Sequence, residues 1–265
     1  MIDEKTIESA KRWCRTGVQW VEKNAVNSGL GYLDQAIAAF EEAGDLSWLT
    51  YARHQRLQAL KLRSSSDDLE ALGEDVLRGY AKLDDSYGKA LTLSHLAESM
   101  AQQGRWENAM ARLNLAAAAA ESAGHEGLLA YILMQRGELH LEHRGDLQAV
   151  RLFRRAETVF QGQGLDDDAA RSRLAAAEAL VKLGERPEAI TLLEDVQNHF
   201  FTRSQYREAL GPLSLLVRLY DRAEMLEDKN RVSELVHYCG QNILQGAPDV
   251  TPRSKPRMPR PAEAP

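Results

Sequence analysis

Two cysteines, Cys14 and Cys239, stand among 265 residues, and one pair cannot make a disulfide framework for a chain of this size. A reducing, cytoplasmic location is the expectation. Proline is nearly absent before residue 246, where only Pro187 and Pro212 occur. Val, Ile and Thr runs of alternating polarity are few, which argues against strands. No stretch approaches the roughly 18 uncharged apolar residues of a membrane span. The opening Met1-Ile2-Asp3-Glu4-Lys5 lacks the basic flank and apolar block of a secretory signal. Positive charge is also short: 33 Lys plus Arg against 39 Asp plus Glu leave a net −6 and a pI near 5.7. A dedicated nucleic-acid binder would normally be basic. Phosphate loops, Gly-x-Gly-x-x-Gly, Cys-x-x-Cys and His-Glu-x-x-His are all missing, so no catalytic residue and no cofactor is expected.

The final 20 residues differ from the rest. Six of the eight prolines lie between Pro248 and Pro265, with Arg253, Lys255, Arg257 and Arg260 against Asp249 and Glu263. That segment is net +2, which leaves −8 for residues 1–245. Without apolar periodicity it cannot repay the entropy of ordering, and 246–265 is expected to be a disordered, proline-rich basic tail. Pro256-x-x-Pro259 has the spacing of a polyproline ligand. In residues 1–245 apolar side chains recur at three and four, as in Leu174, Ala177, Leu180, Val181 and in Val232, Leu235, Val236, Cys239, Ile243. This spacing predicts helices throughout.

The helices repeat. The turns at Gly104-Arg105-Trp106, Gly145-Asp146-Leu147 and Gly184-Glu185-Arg186 each lead to an alanine, Ala109, Ala149 and Ala189, forty residues apart. Ala36, Val76, Ala116, Ala156, Val196 and Val236 form a second column at the same step. Phe40, Tyr80, Ala120, Phe160, Phe200 and Gly240 form a third. Gly44, Gly124 and Gly164 mark helix ends, where positive φ is wanted. Periodicity of this length is the mark of a repeat array. Gly17 and Gly137 fall inside helices, where Gly costs about 1 kcal/mol relative to Ala; close helix packing would explain them.

These columns resemble the tetratricopeptide repeat. Ala97, Ala109, Leu113 and Ala116 match its small-Ala-large-Ala core, as do Gly137, Ala149, Phe153, Ala156 and Ala177, Ala189, Leu193, Val196. Trp13, Gly17, Trp20, Gly29, Leu33 and Ala36 resemble its opening pattern. The closing proline is missing, and the period is forty rather than thirty-four. Leu57, Leu69 and Gly73 depart from the pattern in the second unit, as do Lys229 and Ser233 in the sixth. The chain is similar to long-repeat arrays of the kinesin light chain, LGN and Rap or MalT types. The resemblance implies an all-α, right-handed superhelix of about six helical hairpins over residues 1–245.

Polar ends are needed to stop a solenoid. Ser233, Glu234, His237 and Gln241 supply one. Trp13, Cys14, Trp20 and Val21 leave the N-terminal helix more apolar than a free end should be, and a homodimer through that helix would cover it. Asp67-Asp68-Leu69-Glu70 and Asp166-Asp167-Asp168 are expected to be acidic helix N-termini. His140 and His143 are spaced for two metal ligands on one helix, but no third is fixed, and no metal site is expected. The basic neighbours of Cys14 (Lys11, Arg12, Arg15) favour a reactive thiolate, whereas packing is the ordinary role of a lone helical Cys.

The resemblance also implies a surface, because such arrays bind peptides on a groove lined by the first helix of each hairpin. Stepping by forty places Tyr51, Leu91, Tyr131 and Arg171 in one row. His54, Met134 and Leu174 share the next. Gln55, His95 and Gln135 form a third, and Gln58, Glu98, Glu138 and Glu178 a fourth. Arrays that clamp a terminal carboxylate use Lys, Asn and Arg there; the three Glu argue against that ligand. Rap and LGN arrays hold a ligand's backbone with Asn, and Gln55 and Gln135 carry the equivalent amide. The expected function is a non-enzymatic adaptor holding a protein or peptide partner in this groove, with no nucleic acid and no membrane insertion. The alternatives are a peptide-sensing regulator of the Rap type or a regulatory subunit of an enzyme complex.

Overall fold

The computed structural model describes residues 4–62, 67–143 and 147–245. Among them are twelve α-helices, paired as six consecutive hairpins: α1 (Glu4–Glu22) with α2 (Val26–Ala43), α3 (Leu46–Leu62) with α4 (Asp67–Lys82), α5 (Ser86–Gln102) with α6 (Trp106–Ser122), α7 (Glu126–His143) with α8 (Leu147–Gly162), α9 (Asp166–Leu183) with α10 (Arg186–Thr202), and α11 (Tyr206–Arg222) with α12 (Leu226–Leu244). From α3 onward the first helix of each pair begins at forty-residue steps. The expected tail lies outside the described residues. No described helix is long and apolar enough to cross a membrane.

The turns set this period. Among the described residues, positive φ occurs at Asn24, Gly44, Asp84, Gly104, Gly124, Gly164, Gly184, Ser204 and Glu224, all on one twenty-residue grid. Each closes its helix the same way. Gly184 N–H donates to Val181 O at 3.2 Å and Glu185 N–H to Leu180 O at 2.9 Å, a pattern repeated at Glu224, where Glu224 N–H donates to Asp221 O and Met225 N–H to Tyr220 O. This paired 5→2 and 6→1 bonding satisfies the orphan carbonyls of the last turn. Where the grid places a side chain in the left-handed region, strain of roughly 1–2 kcal/mol is expected. Glu224→Gly should therefore raise stability by about 0.5–1 kcal/mol after the added freedom of the unfolded chain is counted. Gly184→Ala should lower it by about 1 kcal/mol. Urea denaturation of the two variants checks both signs.

Helix starts are also specified locally. Asp45 Oδ1 accepts from Trp48 N–H at 3.0 Å and Asp85 Oδ1 from Gly88 N–H at 2.8 Å, capping α3 and α5. Pro187 sits at the start of α10, where a missing N–H leaves no bond broken. Asp166, Asp167 and Asp168 occupy the first turn of α9, as the acid run predicts. The side chains of Asp67 and Asp68 lie outside the described residues; α4 begins at Asp67.

Contacts divide the described residues into two compact units, up to Leu128 and from Leu129. The core of the first includes Cys14, Leu33, Ala36, Phe40, Trp48, Leu57 and Leu96. Here the α1–α2 crossing is a glycine contact. A Cβ on Gly17 would stand 2.9 Å from Gly29 O, and one on Gly29 would stand 2.8 Å from Gly17 O. The core of the second unit is built on Ala149, Phe153, Ala177, Leu180, Ala189, Leu193, Val196 and Phe200. A Cβ on Gly137 would meet the Phe153 ring at 2.5 Å, so this glycine too is a close-packing residue.

Two features of the sequence acquire a packing explanation. The second hairpin departs from the repeat by exchanging sizes: Leu57 is large where its counterparts are small, and Gly73 is small where they are large. Leu96 of α5 fills the vacated volume, 2.5 Å from where a Gly73 Cβ would sit. The N-terminal helix is also better covered than its composition implies. Cys14 is fully buried, and Trp13, Val18 and Val21 pack on the core of their unit. Trp20 is 41% exposed, with Lys23 Nζ 5.9 Å from its ring. Much of the apolar surface of α1 thus packs on the core of its own unit. Burial assigns Cys14 a packing role. At the other end, Ser233, Glu234, His237 and Gln241 of α12 are exposed.

Candidate partner-binding face

The two units treat the same repeat positions differently. In the first, the predicted rows on α3 and α5 are closed. His54 and Leu91 are fully buried, and Tyr51, Gln55 and His95 are 6%, 9% and 8% exposed. Tyr51 lies edge-on to Trp48, with centroids 5.6 Å apart, and Trp48 stacks on Phe40. Gln58 is half-buried and holds His54. Glu98 is half-buried and pairs with Lys61 at 2.6 Å. His54 and Leu91 therefore present no surface to a ligand, and the Glu98 carboxylate has an internal cation. The packing of α3 between α1 and α5 causes this: α5 is buried at every position from Ala90 to Ala97.

A chain of polar contacts runs through this closed region. Thr92 Oγ1 donates to Gly88 O at 2.7 Å. With its proton committed there, Thr92 accepts from His54 Nδ1–H, 3.0 Å away. His54 Nε2 is left as the acceptor for the Gln58 amide at 3.0 Å. This network assigns the neutral Nδ1–H tautomer. The His54 ring lies 5.8 Å from that of Tyr80 and 5.4 Å from that of His95. Burial, with the nearby Lys61 ammonium adding to it, pushes the His54 pKa down to about 3.

In the second unit the rows remain open. Tyr131, Met134 and Gln135 of α7 and Arg171 and Leu174 of α9 are half-buried; Glu138 and Glu178 are exposed. Met134 and Leu174 rest on the core beneath. Arg171 pairs with Asp168 at 2.7 Å, one turn back on α9. Glu178 is exposed as a residue, yet its carboxyl is partly desolvated. Desolvation raises its pKa, and Lys182 opposes the rise. The same steps continue onto α11 as Gly211, Ser214, Leu215 and Arg218. A Cβ on Gly211 would meet nothing within 4 Å beyond its own chain neighbours and helix backbone. Extending the rows by one more repeat finds these positions in the sequence, so Gly211, Ser214 and Leu215 were legible there.

A polar cluster not anticipated from sequence ties three helices of this unit. Asp167 accepts from Gln205 Nε2 at 2.7 Å and lies 2.9 Å from His199 Nε2. Desolvation would raise the Asp167 pKa, but the bonds to His199 and Gln205, with the Arg171 charge, hold it below the usual carboxylate range. The partners are 32 and 38 residues apart, off the forty-residue grid. His140 and His143 both lie on α7, and no group of three or more His, Cys, Asp and Glu among the described residues could hold a metal ion.

Consecutive antiparallel hairpins with small residues at their crossings define a tetratricopeptide-like array. The apo form of RapI has this fold, with a TM-score of 0.65 and 12% identity over 92% of the present chain. The chain spans 66% of RapI. BtubC from P. vanneervenii matches over 98% of both chains, with a TM-score of 0.61 and 14% identity. A putative kinesin light chain from Podosopora anserina, with nearly identical TPR-like repeats, matches over 74% of this chain and 96% of its own at a TM-score of 0.60 and 19% identity. At these identities the likeness is one of fold. No sequence family matches the chain, and no curated protein does.

Proposed function

We propose that the chain is a non-enzymatic, cytoplasmic adaptor that holds a segment of a partner protein on the first-helix face of its second unit. The observation that carries this reading is the contrast between units: repeat positions buried on α3 and α5 stay accessible on α7, α9 and α11. Tyr131, Met134 and Leu174 supply apolar contact, and Gln135 supplies an amide that both donates and accepts. Glu138 and Glu178 favour a segment with basic groups; exposed pairs of this kind contribute roughly 0–1 kcal/mol each and mainly steer. A Rap protein of related fold, with a TM-score of 0.62, has been solved in complex with Competence and Sporulation Factor, which supports a ligand-holding role here.

Gly211 offers a test. Gly211→Tyr should obstruct the face, at some cost in stability because Pro212 follows it within α11 and disfavours a helical residue that carries a Cβ. Partners captured by the parent protein should be lost or weakened by at least about tenfold, a cost of roughly 1.4 kcal/mol. Tyr131→Ala should weaken them similarly. If both variants retain parental affinity in a titration, the face is not the binding site.

A further inference from the structure

The last hairpin and the helix before it carry an aromatic cluster that the proposed binding face does not use. Phe201 at the end of α10, Tyr206 at the start of α11 and Tyr238 near the end of α12 surround one another. Their centroids are 6.0 Å (Phe201–Tyr206), 5.7 Å (Phe201–Tyr238) and 5.8 Å (Tyr206–Tyr238) apart. Tyr238 is 47% exposed, and the other two are half-buried. Because α12 runs antiparallel to α11, its C-terminus emerges at the end of the hairpin where these rings lie. Tyr238 precedes Leu244 by six residues, about 9 Å along the helix.

We propose that the chain's own proline-rich segment, residues 246–265, docks on this cluster. Aromatic rings at close spacing are the general means by which proteins hold polyproline helices. The segment carries six prolines, and Pro256 and Pro259 stand one polyproline turn apart, about 9 Å. Pro252 is seven residues beyond Gln245, a reach of up to about 23 Å, so the tether spans the distance with slack. Its four basic residues are complementary in charge to Glu234, exposed one turn before Tyr238. Three rings make a small patch with modest affinity for a free peptide. Attachment to α12 raises the effective concentration of the segment to the order of millimolar, which suffices for a weak site.

Trypsin reads the docked state. It cuts after Arg253 and Arg257, while Lys255 and Arg260 are followed by proline and resist. In the full chain, cleavage at Arg253 and Arg257 should be at least about fivefold slower than in a synthetic peptide of residues 246–265, a protection consistent with millimolar tethering. Tyr238→Ala and Tyr206→Ala should each restore most of the peptide rate, with the helical circular dichroism unchanged. A parental rate equal to that of the peptide overturns the proposal. So does protection that survives both substitutions, which would place the segment elsewhere. Protection that disappears on dilution also overturns it, because the segment would then sit on a second molecule.

Discussion

Gly137→Ala is expected to destabilise the protein by about 1–2 kcal/mol, although alanine is the better helix former by about 1 kcal/mol. The new methyl would overlap the Phe153 ring, 2.5 Å away. Phe153→Ala should lose more, about 3–5 kcal/mol, because a fully buried ring leaves a cavity. The informative variant combines Gly137→Ala with Phe153→Leu. That pair already occupies the same repeat positions in the neighbouring hairpins, as Ala97 with Leu113 and Ala177 with Leu193, all buried. The double variant should return to within about 1 kcal/mol of the parent, a coupling of the size seen for residues in direct contact. Urea midpoints of the parent, Gly137→Ala, Phe153→Leu and the double variant measure it. Additive losses would mean that the two positions do not share one volume.

Acid should destabilise the first unit through His54. The folded pKa is about 3, against roughly 6.5 in the unfolded chain. Between those values the unfolded chain binds a proton that the folded chain does not. Stability therefore rises with pH in this window and falls on acidification, by about 1.4 kcal/mol per unit well below pH 6.5. Passing from pH 6.5 to 5 costs on the order of 2 kcal/mol from this ring. The groups facing it reinforce the sign: Lys61 repels a second positive charge, and Thr92 and Gln58 are already arranged around the neutral tautomer. In a His54→Gln variant the slope of unfolding free energy against pH between 5 and 6 should fall by about one proton. An unchanged slope would assign the acid sensitivity to other groups.

The fold was legible because small and large residues recur at fixed offsets. Ala109, Ala149 and Ala189 are all fully buried, and so are Ala36, Val76, Ala116, Ala156 and Val196. The open face was only half legible. Stepping by forty identifies equivalent positions but carries no information about exposure. Tyr51 and Tyr131 share a column, yet one is 6% exposed and the other half-buried. The signal that separates them lies in α5, where Ala90, Leu91, Leu93, Leu96 and Ala97 leave only Thr92, Ser94 and His95 between them. A helix apolar on most of its circumference is buried on most of its circumference. The His54–Thr92 and Asp167–Gln205 bonds were beyond reach, since each joins residues 38 apart and no column predicts that offset.

The regular spacing of the left-handed turns makes length itself a constrained property of this chain. One residue added inside a helix rotates everything after it by about 100°, so the next buried column would turn toward water. One added at a turn shifts the grid from Asn24 to Glu224 downstream of the insertion. Twenty added residues would exchange the roles of first and second helix. Forty restore every column to its place. The array can thus grow or shrink in whole hairpins, and any smaller change in length displaces every column that follows it.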